Sequence, residues 1–575
     1  MKSSVMSSAA SKQREPRALA RIAPSRMVAR SRAAVPHLHW GAMPPSPLAR
    51  LAGAGALVAL ALGIGVPWWA LLSEATDPQG WRVLLEPRVW ERLGWTLWQA
   101  TASTLLALAL GLPAALAFGL ARVPGARWWR AAFTVPFVMP SVVAGLAVLA
   151  WFGPRGLSGL DLRDSLAIVL IAHAVYNVGV VVRVVGGALE ALAPRLHEAA
   201  AVLGSPPWRR TLRVTLPLAA PAALSAATLV FLFCFTSFGV ILVLAPSPAF
   251  ATLEVEIYRA VARRADVTEA AALATLQLLV VMAATVLYTR AQQRLAARLP
   301  RAATPAPPAR TPLGRLAVLA ALSLAAAVTL LPPAALLLQA LWPAGSSAPD
   351  LSAFVRLARP SEVIGLTDLR TALVNSLWVA AAATGIALTF GAAAAYGIAR
   401  AGMRWLDALT LLPLATSAVT LGLGVLLAYP SLAAAPLALP LAHALLASPF
   451  VVRSLVPAWR ALEAGQAQAA ASLGASPWRT LRRVELPQLA PALLTATGFA
   501  AAVSLGEFGA ALILRRPETA TLPVALFERL GRPGVARFEE ALAIAALLLV
   551  LTGLVVLLGE VLARRRRGSG GGVEF

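Results

Sequence analysis

Glu198-Ala-Ala-Ala-Val-Leu-Gly204-Ser-Pro-Pro-Trp208-Arg-Arg-Thr-Leu-Arg-Val-Thr-Leu-Pro217 returns 270 positions later as Gln468-Ala-Ala-Ala-Ser-Leu-Gly474-Ala-Ser-Pro-Trp478-Arg-Thr-Leu-Arg-Arg-Val-Glu-Leu-Pro487. A polar, arginine-studded segment is thus kept twice inside an otherwise apolar chain, and internal duplication decides architecture before any single motif does. The match is wider than the segment. His173 pairs with His443, Arg183 with Arg453, Pro221 with Pro491 and Phe238-Gly239 with Phe508-Gly509 at the same offset, while Trp98 and Trp378 extend it upstream at an offset of 280. Residues from about 93 to 290 therefore recur, in parallel, as about 373 to 562. The proline-rich run Ala302-Ala-Thr-Pro-Ala-Pro-Pro-Ala-Arg-Thr-Pro312 reads as the linker between the halves.

The solvent of these halves follows from composition. With 59% hydrophobic and 13% charged residues and a mean hydropathy of +0.74, the chain is too apolar for a soluble protein of 575 residues. Its net charge of +24 does not indicate nucleic-acid binding: the basic residues lie between long apolar runs, where they orient helices, and aromatic residues do not interleave with them. The single cysteine, Cys234, excludes an intramolecular disulfide framework and reads as a small buried hydrophobe.

Apolar stretches of roughly 20 residues, the length that crosses a hydrocarbon core, predict twelve spans. In the first half they lie near 49–72, 93–121, 131–152, 165–186, 218–245 and 269–289. In the second they lie near 316–342, 372–399, 405–429, 432–457, 488–514 and 540–562, and Pro136, Pro140, Pro413, Pro440 and Pro449 interrupt several of the twelve. The expected fold is an all-α polytopic membrane protein of two parallel six-helix repeats. Its parts are a basic tail 1–48, a first half 49–290 with its polar loop at 190–217, a linker 291–315, a second half 316–562 with its loop at 460–487, and a basic tail 563–575.

Orientation follows from the arginines. Arg290, Arg294, Arg298, Arg301, Arg310 and Arg315 share one loop with no acid, whereas the next loop, 343–370, sets Asp350, Glu362 and Asp368 against Arg356, Arg359 and Arg370. The first is expected in the cytoplasm and the second outside. Propagating that alternation places both termini, including Arg564 to Arg567, and both polar segments in the cytoplasm. Residues 1–48, rich in Arg and Ser with Glu15 as the one acid, have the composition of a transit peptide, a disordered tail, or a leader upstream of a start at Met27 or Met43.

Two related bundles about an axis along the membrane normal imply a pathway between them that opens by rocking. The only lysines are Lys2 and Lys12, so no Gly-Lys-Ser/Thr phosphate loop exists in the chain and energy must come from a partner or an ion gradient. In each polar segment an Ala-rich stretch predicts a short helix, Gly its left-handed stop, and Ser-Pro the start of a second helix carrying Trp and arginines. This helix-Gly-helix pattern resembles the coupling loop, or EAA motif, of permeases in bacterial ABC importers, and in both copies it precedes the fifth span of its half.

The resemblance implies a type I ABC importer fold in a bacterial inner membrane. It implies a homodimeric ATP-binding subunit docked at the two loops, through Glu198, Ala199, Ala200, Gly204, Leu216 and Pro217 in the first and Gln468, Ala469, Ala470, Gly474, Leu486 and Pro487 in the second. An extracytoplasmic substrate-binding protein would deliver the solute, and ATP hydrolysis would reside in the partner rather than in this chain. The second copy carries Gln468 where the family usually has Glu, so the two grips are expected to differ.

Fused halves look like thiamine and ferric-iron importer permeases. Phe233-Cys-Phe-Thr-Ser-Phe-Gly239 with Ala251-Thr-Leu-Glu-Val-Glu-Ile-Tyr258, and Ser504-Leu-Gly-Glu-Phe-Gly509 with Thr521-Leu-Pro-Val-Ala-Leu-Phe527, are similar to the thiamine branch. An acid within a span is a functional candidate. Glu507 beside Phe508, Ser237 and Phe238 could offer charge and stacking to a cationic aromatic solute, or its carboxylate has simply reached the outer headgroups. Tyr176 and Asn177 either line the same pathway or satisfy neighbouring backbone.

Other chemistry is not supported. His37, His39, His173, His197 and His443 have no carboxylate or cysteine at ligand spacing, so neither a metal site nor a cofactor is expected, and the duplicated His173 and His443 read as helix contacts. No Gly-x-Ser-x-Gly elbow indicates an embedded hydrolase. A gradient-driven carrier remains the alternative class. Against it, Arg122-Val-Pro-Gly-Ala-Arg-Trp-Trp-Arg130 lacks the acid such carriers place after their second span.

Overall fold

The computed structural model describes residues 47–568 apart from 122, 191–194, 299–311, 344–345, 361–362, 364 and 463. The tail 1–48, except its last two residues, the linker between 299 and 311, and the end of the basic tail beyond 568 lie outside the described residues. Among the described residues, ten helices are long and apolar enough to cross a membrane: α1 Pro47–Ala75, α2 Pro87–Gly119, α3 Leu166–Glu190, α4 Pro207–Phe235, α5 Val267–Leu287, α6 Gly314–Leu341, α7 Leu369–Arg400, α8 Ala438–Ala461, α9 Ala490–Ile513 and α10 Val535–Arg566. Large apolar side chains such as Leu51, Leu62, Leu105 and Leu557 stand more than half exposed on their outer faces. In water such a surface would be an aggregation liability, and in lipid it is the solvated one.

Two of the twelve expected spans are not single long helices. The stretch 131–152 is two helices, Ala126–Val138 and Ser141–Phe152, the second only 12 residues long. Pro140 has no N–H to continue the ladder and holds Met139 in extended geometry (φ −62°, ψ 122°). The stretch 405–429 is a bent pair, Arg404–Leu414 and Ala418–Ala428, turning by 97°. There Thr416 is extended and the Ser417 side chain accepts from the Thr420 N–H, capping a new helix. Counting the bent pair as one span gives eleven among the described residues.

Within the first half α2 lies along α3, and α4 packs on both. In the second, α7 lies along α8, and α9 packs on α7, α8 and α10. The leading helix of each half leans on the other half. Along α1, Gly53 meets Gly397 of α7 so closely that a Cβ on Gly397 would lie 2.7 Å from the Gly53 Cα. Further along, Trp68 Nε1 donates to Thr416 Oγ1 (3.1 Å) and Leu62 O accepts from the Tyr429 hydroxyl (2.9 Å). Reciprocally, α6 buries Leu322 and Ala325 against Ala114, Phe118 and Phe133, and its Gln339 donates to Arg155 O (2.7 Å). Small residues at such crossings let backbones approach where lipid supplies no hydrophobic drive for helix association.

Candidate functional site

Each polar loop leads into a membrane helix, the first into α4 and the second into α9. The helices Arg195–Val202 and Ala464–Ser472 carry Glu198, Ala199 and Ala200, and Gln468, Ala469 and Ala470. They stop at Gly204 (φ +74°) and Gly474 (φ +77°). In the first loop the Gly204 N–H donates to Ala201 O (2.9 Å) and Ser205 N–H to Ala200 O (3.1 Å); in the second, Gly474 donates to Ala471 O (2.9 Å) and Ala475 to Ala470 O (3.0 Å). These paired bonds of a Schellman stop need a left-handed residue that only glycine adopts without steric cost. Pro207–Arg210 and Pro477–Thr480 follow, then π-helical turns at Thr211–Thr215 and Leu481–Glu485, before Leu216-Pro217 and Leu486-Pro487 lead into the membrane helices.

The tips of both loops are apolar and open. Leu203 is 85% exposed and Leu473 88%, and Val202, Trp208 and Trp478 are likewise exposed. Behind the second loop, Glu485 is buried and takes Arg400 Nη2 at 2.7 Å and the Trp459 indole N–H at 3.0 Å. Its counterpart 270 positions earlier is Thr215, buried with no partner for its hydroxyl. A lone acid in one copy of a repeated segment was the signal in the sequence, and its role could not be read without knowing what lay behind it.

Between the halves lies a cavity of about 270 Å³, close to the low end of small-molecule sites at roughly 300 Å³. All six residues expected along a pathway line it: Tyr176, Asn177, Ser237, Phe238, Glu507 and Phe508. The two chain breaks, at Met139-Pro140 and at Thr416-Ser417, form part of its wall. Non-helical backbone at membrane depth is tolerated where it borders such a cavity.

Four aromatic rings run across the interface. Phe238 and Phe508 stack with centroids 5.4 Å apart and 22° between planes, and Tyr258 and Phe527 meet them edge-on at 5.3 Å each. Glu507 is buried rather than at an outer rim. Its carboxylate accepts from the Ala510 and Ala511 N–H groups (3.2 and 3.1 Å) where the chain restarts as Gly509–Ile513, and lies 3.2 Å from His443 Nε2. Asn177 donates to His173 O at 2.9 Å, the backbone-satisfying arrangement, while its Oδ1 has no partner.

His443 and His173 each join two helices, through Ser504 (2.9 Å) and Ser103 (2.8 Å). They differ on the other side of the ring. Neither Nε2 makes a hydrogen bond, but that of His443 lies 3.2 Å from the Glu507 carboxylate, whereas Ser237 stands in place of that acid in the first half. A second buried acid escaped the sequence reading. Glu254 begins the short helix Leu253–Arg259, is 1% exposed, and faces the same cavity. It lies in a connection outside every span, where an acid looks ordinary. Among the described residues no group of three or more His, Cys, Asp and Glu side chains is arranged to hold a metal ion.

The chain is similar to known proteins over most of its length. The family model described as "Binding-protein-dependent transport system inner membrane component" matches it twice, over residues 107–301 and 387–568. The thiamine transport system permease protein ThiP of Brucella abortus (strain 2308) is 29% identical over 541 residues, covering 90% of this chain and 94% of the relative. That of Escherichia coli (strain K12) is 28% identical over 534 residues, with 88% and 94% covered. The protein of the same name from Salmonella typhimurium is 26% identical over 542 residues, with 90% and 96% covered.

Proposed function

Because the chain belongs to the family of binding-protein-dependent transport system inner membrane components, and is thus a multi-pass permease subunit through which an ABC importer moves a small solute, we propose that its solute is thiamine and that the cavity between its halves is the solute's path. It is a transport component and not an enzyme. End-to-end similarity to three permeases named for thiamine supports that solute over the ferric-iron alternative.

The two loops are the sites where a pair of ATP-binding subunits engages. The observation that carries this reading is the exposure of Val202, Leu203, Trp208, Leu473 and Trp478 around the glycine turns of the two loops. Exposed apolar tips on a rigid scaffold are what a partner groove buries. Closure of the ATPases pulls the loops together, the π-helical turns pass that motion to α4 and α9, and the halves rock about the interface. An external binding protein hands solute to the opposite end, both termini lie in the cytoplasm, and Tyr176, Asn177, Ser237, Phe238, Glu507 and Phe508 contact the solute in transit.

The experiment is isolation of the tagged chain from its native membrane and reconstitution in liposomes with what accompanies it. Two copies of an ATP-binding subunit and ATP-dependent thiamine uptake are expected. Uptake that survives loss of ATP and collapses with the proton gradient would instead make the chain a gradient-driven carrier.

A further inference from the structure

The two acids of the cavity come from different halves and from positions that are not equivalent. Glu507 stands where the first half has Ser237. Aligning Ala251-Thr-Leu-Glu-Val-Glu-Ile-Tyr258 with Ala520-Thr-Leu-Pro-Val-Ala-Leu-Phe527 sets Glu254 against Pro523. Each half thus supplies one carboxylate, and the duplicated framework brings both to a single space. Burying an acid in a membrane protein is costly, and two that sense each other's charge are more so.

The partners of the acids are unequal. Glu507 accepts two backbone N–H groups and faces His443. Glu254 Oε2 is taken by the Gln277 amide, but its Oε1 has no hydrogen-bond partner despite being buried. Burial pushes the Glu254 carboxyl up to about 7, and against it the Gln277 amide and, from the other half, Ser417 and the Val419 N–H at the N-terminal turn of Ala418–Ala428 favour the charged form. Beside the acids, the stacked Phe238 and Phe508 present π-faces that also attract positive charge.

We infer that Glu254 and Glu507 form a cation seat bridging the two halves, in which the charged group of an aromatic cation sits between the carboxylates while its ring lies along the Phe238–Phe508 pair. The inference rests on the reading of this cavity as the solute path. It adds a residue of the first half, Glu254, as a determinant of specificity, and makes the solute's charge a link between two carboxylates that otherwise repel.

The probe is trimethylphenylammonium, with tert-butylbenzene as its neutral isostere, titrated calorimetrically into the full chain in lipid nanodiscs. Saturable binding of the cation and none of the isostere is expected. Glu254→Gln keeps an acceptor for Gln277 but removes the charge, and should weaken cation binding by at least about thirtyfold, as loss of one partner of a buried charge pair does. Glu254→Asp keeps the charge with a shorter reach and should recover part of the affinity, a pattern that misfolding would not produce. Equal binding of the two probes, or wild-type affinity in Glu254→Gln, would overturn the seat. A separate arm tests the underlying reading: Ser237→Trp, which fills the cavity, should stop ATP-driven thiamine uptake. If uptake persists in that variant, the path lies elsewhere and the seat falls with it; if uptake stops while Glu254→Gln still binds the cation normally, only the seat is refuted.

Discussion

Replacing Glu485 by alanine tests whether the second loop drives the membrane helices through a buried latch. The Glu485 carboxylate holds Arg400 at 2.7 Å and the Trp459 indole N–H at 3.0 Å, with its own side chain 6% exposed and that of Arg400 22%. Removing one partner of a buried ion pair costs about 3–5 kcal/mol. The lower end applies, because the guanidinium is partly exposed and water can hydrate it, though the buried Trp459 N–H is left without an acceptor. A cost of about 3 kcal/mol shifts a docked–undocked equilibrium by roughly a hundredfold. The turn Leu481–Glu485 would then move without α7 and α8, which carry Arg400 and Trp459. In proteoliposomes containing the partner subunits, ATP hydrolysis should persist while solute moved per ATP falls severalfold, and the thermal half-life in detergent should shorten. Arg400→Ala should do the same by stranding a buried carboxylate. The double variant should fall short of the sum of the two by about 2 kcal/mol, since neither charge is left unpaired. Additive losses, or an unchanged ratio of transport to hydrolysis in Glu485→Ala, would refute the latch.

A Cβ at Gly204 or Gly474 meets no atom within 4 Å, but valine at both must adopt φ near +74° and +77°, a backbone cost of about 1–2 kcal/mol or more at each. Membrane assembly should persist and uptake should be lost, and undiminished uptake would show that the turns do not transmit force. Leu203→Asp with Leu473→Asp changes side chains that are 85% and 88% exposed, so stability should move by no more than about 0.5 kcal/mol. Co-purification of the ATP-binding subunit should nevertheless fail. Gly397→Leu drives a side chain into the Gly53 backbone, where a Cβ alone would come within 2.7 Å. It should destabilise by about 1–3 kcal/mol or more, read as a shortened thermal half-life, whereas Gly553→Ala, with open space around it, should be neutral or stabilising by up to about 1 kcal/mol.

The loops were the most legible part of the chain because their determinants are local. A glycine stop, a proline at the first helical position and a serine cap act within a few residues, and the structure carries all three at the second loop. Membrane spans are legible for a similar reason, as hydrophobicity is summed along one helix. Two of the twelve expected spans are not continuous helices, because continuity depended on a single residue: Pro140 and Ser417 turn two apolar runs into broken pairs. Of the cavity, the six residues named from the sequence sit together, but Glu254 was hidden in an ordinary-looking connection and the carboxylate partner of His443 lay 64 positions away along the chain.

What the amino-acid sequence determined by itself is therefore the apolar spans, the two polar loops with their turns, and the existence of two related halves. Only the tertiary structure decided that α1 and α6 cross to the opposite half, that Glu254 and Glu507 face one space, and that Glu485 is latched to Arg400 and Trp459. The physical reason is that lipid solvates any apolar helix face about equally well. Which faces meet is set by close fits such as Gly53 on Gly397 and by buried polar partners far apart in the chain, and neither leaves a periodic trace in the sequence.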